Sequence, residues 1–408
     1  MAFTIRAPQR ATALLLGPAF VAAIAYVDPG NVAANVSAGA QFGFLLVWVI
    51  IVANVMAGLV QYLSAKLGLV TGRTLPEAVA QGTGTRTRVA YWLQAELVAM
   101  ATDLAEVVGG AIALYLLFGL PLLIGGVITG VVSLLLLAIQ NRRGQQVFER
   151  VVTGLLLVIA IGFLASVVVE PPAAGDVLGG VVPRFDGPES VLLATAMLGA
   201  TVMPHAVYLH SALARDRHGH AEAGAPRQRL LRATRWDVGL AMLVAGAVNL
   251  AMLLVAATNL QGMGGTDSIE GAYSAVQGTL GHVVALFFAI GLLASGLAST
   301  SVGAYAGAMI MQGLLHRSYP LLLRRLVTLV PALVVLALGV DASRVLVLSQ
   351  VVLSFGIPFA LVPLIRLTSN RTLMGADVNG RITTGLGWIV AAIISVLNVV
   401  LIYLTVTG

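Results

Sequence analysis

Apolar runs long enough to cross a bilayer recur from end to end of this chain, and nothing else about it narrows the fold so far. A helix needs about 20 apolar residues to span the hydrocarbon core. Eleven such segments can be drawn, over roughly 12–37, 43–66, 90–118, 121–139, 148–169, 190–214, 238–258, 274–312, 322–340, 343–367 and 385–406. The runs are too long and too evenly apolar for outer-membrane strands, which alternate. The chain is 59% hydrophobic and 10% charged, where a soluble domain carries about 25% charged residues. A soluble enzyme, a nucleic-acid-binding protein and a disordered chain are excluded. The expected fold is an all-α membrane protein of eleven transmembrane helices, one integral domain over 1–408. Segment eight is long enough to tilt or to extend past the bilayer.

Two segments are interrupted. The first holds Ala25-Tyr26-Val27-Asp28-Pro29-Gly30-Asn31 and the sixth holds Leu198-Gly199-Ala200-Thr201-Val202-Met203-Pro204-His205. Proline removes an amide donor and glycine relaxes the backbone, so each helix should unwind there. Unwound backbone at membrane depth is tolerated only where it is buried in protein or lines a cavity. Segments one and six open two halves of five spans, about 12–169 and 190–367, with an extra helix at about 385–406. An odd number of spans per half inverts one half against the other. Broken helices at matching places in inverted repeats point to a transporter's substrate site.

The residues at the breaks suggest what is carried. Asp28 offers a hard anionic oxygen and Asn31 an amide oxygen; carbonyls freed near Ala25 and Ala200 add more. Met203 offers a soft thioether. Mg²⁺ and Ca²⁺ take oxygen ligands, while sulfur suits transition metals better. The set reads as a site for a transition-metal dication. Met203 as ordinary core filler is the competing reading. Gln350, an amide alone in segment ten, is an occasional further ligand; Asn54 and Gln61 read as helix–helix hydrogen bonds.

Segment three carries Glu96, Asp103 and Glu106 on one helical stripe. Intramembrane carboxylates cost about 2.5–3.5 kcal/mol each on insertion scales, so they need a reason. Arg324 and Arg325 open segment nine and can pair with them. Two readings stand: an ion-pair network that holds helices together, or a path for protons. His205 and His210 flank the sixth-segment break and either pack there or relay protons. Gly126-x-x-x-Gly130 and Gly303-x-x-x-Gly307 read as small-residue packing motifs.

Charge sets the expected orientation. With the N-terminus in the cytoplasm, 21 of the 23 basic residues fall on inner segments and only Arg184 and Arg344 outside. The C-terminus is then extracellular. The outer loops hold Glu170, Asp176, Asp186, Glu189, Asp267, Glu270 and Asp341, which either keep the loops soluble or concentrate cations. The longest hydrophilic stretch, about 215–237, reads as a basic inner loop. Arg6, Arg10 and Ala23-Ile24-Ala25 imitate a cleavable signal, but hydrophobicity resumes at Val32, so one broken span is the better reading. There is no cysteine, which removes disulfides and thiolate metal sites.

Asp28-Pro29-Gly30-Asn31 and Met203-Pro204-His205, on segments one and six of eleven, resemble the Nramp family of divalent metal transporters. The likeness runs along nearly the whole chain, through Glu96 to Glu106, Arg324-Arg325 and Ser349-Gln350, and is nearest to bacterial proton-dependent manganese transporters, which end after span eleven. It implies a fold like that of the amino-acid/sodium symporters (LeuT-like). It implies Mn²⁺ or Fe²⁺ held by Asp28, Asn31, Met203, the Ala25 and Ala200 carbonyls and, in some conformations, Gln350. It implies proton movement through Asp28, His205, Asp103, Glu106 and the arginine pair. The expected function is proton-coupled import of these ions across the plasma membrane by alternating access, with no cofactor, with membrane lipid as a further partner and with no nucleic acid. A dication channel or a carrier that also takes Mg²⁺ is the alternative. No H-E-x-x-H, G-x-S-x-G or phosphate loop is present, so neither a hydrolase nor an ATP-driven pump is expected.

Overall fold

A computed structural model of the protein describes residues 17–143, 145–220, 222–263, 265, 268–317 and 321–407. Among these it is helical throughout and has no strand. In chain order the helices are α1 (Pro18–Ile24), α2 (Pro29–Phe42), α3 (Val47–Thr71), α4 (Leu75–Gln81), α5 (Thr85–Phe118), α6 (Leu122–Arg143), α7 (Gln145–Val169), α8 (Ala174–Gly179), α9 (Gly187–Thr201), α10 (Pro204–His218), α11 (Ala225–Asn259), α12 (Ile269–Leu280), α13 (His282–Leu315), α14 (Leu321–Ala337), α15 (Ala342–Thr368), α16 (Arg371–Met374) and α17 (Arg381–Thr407). Eight helical stretches among the described residues are long and apolar enough to cross a membrane. One of them, Pro29–Thr71, contains both the second half of expected segment one and all of segment two; the chain turns between them at Gly43, whose φ of 58° suits glycine.

Both expected breaks are present. Segment one divides into α1 and α2, and segment six into α9 and α10. Pro29 and Pro204 each stand at the first position of the helix that follows, where a missing N–H costs nothing.

Two expectations need correction. Segment eight is divided near its start: α12 ends at Leu280 and α13 starts at His282, with Gly281 between them at φ 89°, and α13 alone, at 34 residues, keeps the length to tilt or extend past the bilayer. The basic stretch 215–237 is not a loop, because α10 runs to His218 and α11 begins at Ala225. Hydropathy marks where a helix leaves the bilayer, and the helix itself continues into water. Arg6, Arg10, Asp267 and the start of segment one, 12–16, lie outside the described residues.

Close packing comes from glycines set against neighbouring backbone. A Cβ on Gly199 of α9 would lie 2.1 Å from the Gln350 carbonyl of α15, and one on Gly68 of α3 would lie 2.1 Å from the Ser211 carbonyl of α10. Gly39 of α2 stands likewise 2.4 Å from the Leu253 carbonyl of α11. Small residues that let backbones meet are how helices associate in lipid, where the hydrophobic effect no longer drives them together. Gly126 and Gly130 behave as read from sequence, receiving Leu336 and Leu329 of α14. Gly303 and Gly307 do not. They form notches for charged side chains, described below.

The broken helices sit at the centre. Protein encloses 94% of the most apolar stretch of the α9–α10 segment, against 33% for α17. Helix α17 lies outermost, tied to α15 by Asn398, which accepts from the Ser354 hydroxyl at 2.6 Å and donates to the Ser354 carbonyl at 3.0 Å.

Candidate functional site

At the first break, residues 25–27 form a 3-10 turn that begins at the buried Ala25, and Asp28 is extended (φ −70°, ψ 168°). Asp28 caps α2 by accepting from the Asn31 amide at 2.8 Å. At the second break, Val202 and Met203 are non-helical and Met203 is fully buried. Unwinding frees carbonyls, and the fold supplies donors for several of them. Tyr26 O accepts from Asn249 of α11 at 2.7 Å, and Val27 O from the Ser295 hydroxyl of α13 at 2.5 Å.

Asn31 joins the breaks. Its Nδ2 donates to Asp28 Oδ1 at 2.8 Å and to the Ala200 carbonyl at 3.0 Å, 169 residues away in the chain. Gln350 of α15 comes in from a third side. Its Nε2 lies 3.5 Å from Asp28 Oδ2 and 3.3 Å from the Ser349 hydroxyl. Gly30 makes the room, since a Cβ there would lie 1.7 Å from Gln350 Nε2. Gln350 Oε1 is buried and has no hydrogen-bond partner. An orphaned buried acceptor is costly, and a water, a donor or a cation at this point would satisfy it. Asp28, Asn31, Ala200 and Gln350 are thus brought together, with Met203 three residues beyond Ala200. All are at most 1% exposed.

The donor set suits a weakly held cation. Among the described residues no three His, Cys, Asp or Glu side chains gather in one place. One carboxylate and several neutral oxygens neutralise only part of a dication's charge, and affinity follows ligand charge.

Two of the three segment-three carboxylates, Glu96 and Asp103, meet the arginines. Arg324 Nη2 holds both Glu96 oxygens at 2.9 and 3.1 Å and lies across the notch at Gly307. Arg325 pairs with Asp103 inside the protein and reaches the Ser133 hydroxyl at 3.2 Å. Glu106 fills the notch at Gly303, its carboxylate oxygens 3.1 Å from where a Cβ would stand, and its Oε2 has no hydrogen-bond partner. His205 Nδ1 lies 3.4 Å from the Thr102 hydroxyl, and its Nε2 is buried without a partner. His210 Nδ1 meets Gln61 Oε1 at 2.6 Å, and Gln61 Nε2 donates to the Tyr26 hydroxyl. Gln61 is the interhelical bond it was read to be, and it also ties α10 to the turn just before Asp28.

Sequence reasoning missed Asn249, Ser295, Thr102 and Tyr26. The signal available was a lone Asn or Tyr in an apolar run, which most often marks ordinary packing.

A cavity of about 390 Å³ stands over the site on one side. Ser37 of α2, Leu193 and Glu189 of α9, and Val347 of α15 line it, together with Asp341 at the start of α15. These are the helices that carry Asn31, Ala200 and Gln350. By helical rise the lining residues lie roughly 5–16 Å along their helices from those three groups, the two acids farthest. Two of the acids read from the outer loops, Glu189 and Asp341, therefore border this cavity.

The chain matches the family described as "Natural resistance-associated macrophage protein-like" over residues 19–404. It is 72% identical over 394 residues to the divalent metal cation transporter MntH of Mycobacterium tuberculosis (strain ATCC 25618 / H37Rv), covering 97% of this chain and 92% of that one. It is 66% identical over 408 residues to the protein of the same name from Mycobacterium leprae (strain TN), covering 100% and 96%. Its structure is similar to a crystal structure of the Eremococcus coleocola manganese transporter in complex with an aromatic bis-isothiourea substituted compound. There the TM-score is 0.87, the identity 32%, and the coverage 97% of this chain and 88% of that one. Mhp1, a nucleobase-cation-symport-1 family transporter, shares the fold alone, at TM-score 0.60 and 17% identity over 96% of this chain and 92% of that one.

Proposed function

Because this chain belongs to the Nramp family, whose members are divalent metal cation transporters, we propose that it imports Mn²⁺, and Fe²⁺ with it, by alternating access coupled to protons. One observation carries this reading: the unpartnered Gln350 Oε1 beside Asp28, where the two broken helices meet. A dication there gives that oxygen its partner. Asp28, Asn31, Met203, Gln350 and the Ala25 and Ala200 carbonyls are the proposed ligands. The relatives' names support a metal cargo, and the likeness to a manganese transporter supports this metal.

In the proposed cycle a hydrated dication enters the cavity bordered by Glu189 and Asp341, sheds water and binds. The half-helices then swing, closing the outer path and opening the inner one. An inward-negative potential contributes about 2.3 kcal/mol per charge per 100 mV. A carboxylate must be deprotonated to ligate, so protonation of Asp28 displaces metal. His205, His210, Asp103, Glu106 and Glu96, with Arg324 and Arg325, are the proposed proton path. The enclosure of every ligand supports a carrier over an open channel. Eleven spans in two inverted five-helix repeats plus α17, with the N-terminus cytoplasmic and the C-terminus outside the plasma membrane, complete the proposal. The arginine distribution supports that orientation.

The test is Mn²⁺ uptake into proteoliposomes with a luminal pH dye, comparing wild type with Met203→Ala under excess Mg²⁺ and Ca²⁺. Wild type should ignore the competitors, the variant should not, and protons should enter with the metal. Equal transport of Mg²⁺ and Mn²⁺ by wild type would overturn the assignment of the cargo.

A further inference from the structure

On the membrane-facing side, α17 stands away from α3 and α9 and leaves an apolar groove of about 380 Å³. Val49 and Leu198 are its buried floor, Ile393 and Val396 its exposed wall, and Trp48 and Phe185 its rim. Its depth is defined by α9. Leu198 lies eleven residues below Gly187, where α9 begins, or about 16 Å at helical rise. That is about half of a 30 Å hydrocarbon core, so the groove runs through one leaflet from surface to midplane.

The rim is built. The Trp48 indole donates to the Arg184 carbonyl at 3.3 Å, and its ring meets Phe185 edge-on at 5.4 Å. Tryptophan anchors an interface in this way. Arg184 is exposed and is one of two basic residues on that side by the charge reading. The other, Arg344, borders the cavity over the metal site. Arg184 precedes the rim residue Phe185 in the chain, which places one basic residue next to the rim.

We propose that this groove binds one outer-leaflet phospholipid, with an acyl chain between α17 and the α3–α9 wall and its phosphate on Arg184. The shape selects this occupant over a second copy of the chain. The volume lies in the range of small-ligand sites, about 300–1,000 Å³, and a concavity whose floor is buried admits a flexible chain but not a helix face. The lipid bridges α17 to α9 two residues before Ala200. Asn398 ties α17 to Ser354 from the other side, and Ser354 packs on Gly199, where a Cβ would lie 3.0 Å from it. The lipid and the asparagine thus brace one corner of the broken helix together.

The inference rests on the membrane-spanning reading and not on the cargo. Full-length protein, purified in mild detergent, is examined by native mass spectrometry and lipid extraction. Wild type should retain one phospholipid. Val396→Trp, which fills the groove, should cut retention at least tenfold. Arg184→Gln should cut it severalfold, and Val399→Trp, on the same helix outside the groove, should leave it unchanged. Monodisperse elution confirms that each variant is folded. Equal retention by all four proteins overturns the proposal. So does efficient disulfide dimerisation of Ile393→Cys in native membranes, which the absence of other cysteines makes unambiguous, because a second copy would then occupy the groove. The readout needs no transport, so a failure of Mn²⁺ uptake bears on the proposed function alone.

Discussion

Gly30→Ala tests the ligand role of Gln350 without touching a ligand. The alanine methyl would lie 1.7 Å from Gln350 Nε2, 2.3 Å from its Cδ and 2.9 Å from its Cγ. Ordinary contact begins near 3.4 Å, so the amide head must withdraw by about 1.7 Å. The side chain's flexible end can make that move. Alanine is also the better helix former by about 1 kcal/mol, so the fold should survive. A ligand has to stay within about 0.2 Å of its bond length, so the displaced amide is lost to the metal. The expected result, by isothermal titration of Mn²⁺, is affinity about tenfold to a hundredfold weaker, the range typical of a disturbed metal site. Gln350→Ala should show the same loss, and the double variant no more, because both changes remove one group. If Gly30→Ala binds Mn²⁺ as wild type does while Gln350→Ala fails, or if the two losses multiply, the steric argument is wrong.

Three further outcomes are expected. Asn249→Ala strands the Tyr26 carbonyl and should cost about 1–3 kcal/mol, seen as a lower thermal midpoint with or without metal. Arg325→Met leaves Asp103 buried without its cation and should cost about 3–5 kcal/mol; adding Asp103→Leu should restore most of it in the same unfolding assay. Mn²⁺ affinity should fall as pH falls, since protonated Asp28 cannot ligate, and titrations of Asp28→Asn should show a weaker site that has lost this dependence.

The two breaks were legible because proline leaves a mark in sequence: Asp28-Pro29 and Met203-Pro204 could be placed before any coordinate was known. The meeting of Asp28, Asn31 and Ala200 followed from pairing those breaks. The donors that make the unwinding affordable were not legible. Asn249 and Ser295 reach Tyr26 O and Val27 O from other helices, and one polar residue in an apolar run gives no sign of its partner. Gly303 and Gly307 were misread for a related reason. A glycine in sequence records that space is needed but not what fills it, and here the occupants are Glu106 and Arg324. The split at Gly281 and the helical course of 225–237 escaped because hydropathy reports the membrane boundary and not the backbone.

The two breaks are tied to each other directly. Asn31 Nδ2 has two hydrogens and places them on Asp28 Oδ1 and Ala200 O, two of the oxygens proposed for the metal. The amide therefore joins the two half-helices across the break and gives each oxygen a donor. On the proposed reading, an ion that takes those two oxygens has to displace both hydrogen bonds, so loading loosens the direct tie between the half-helices.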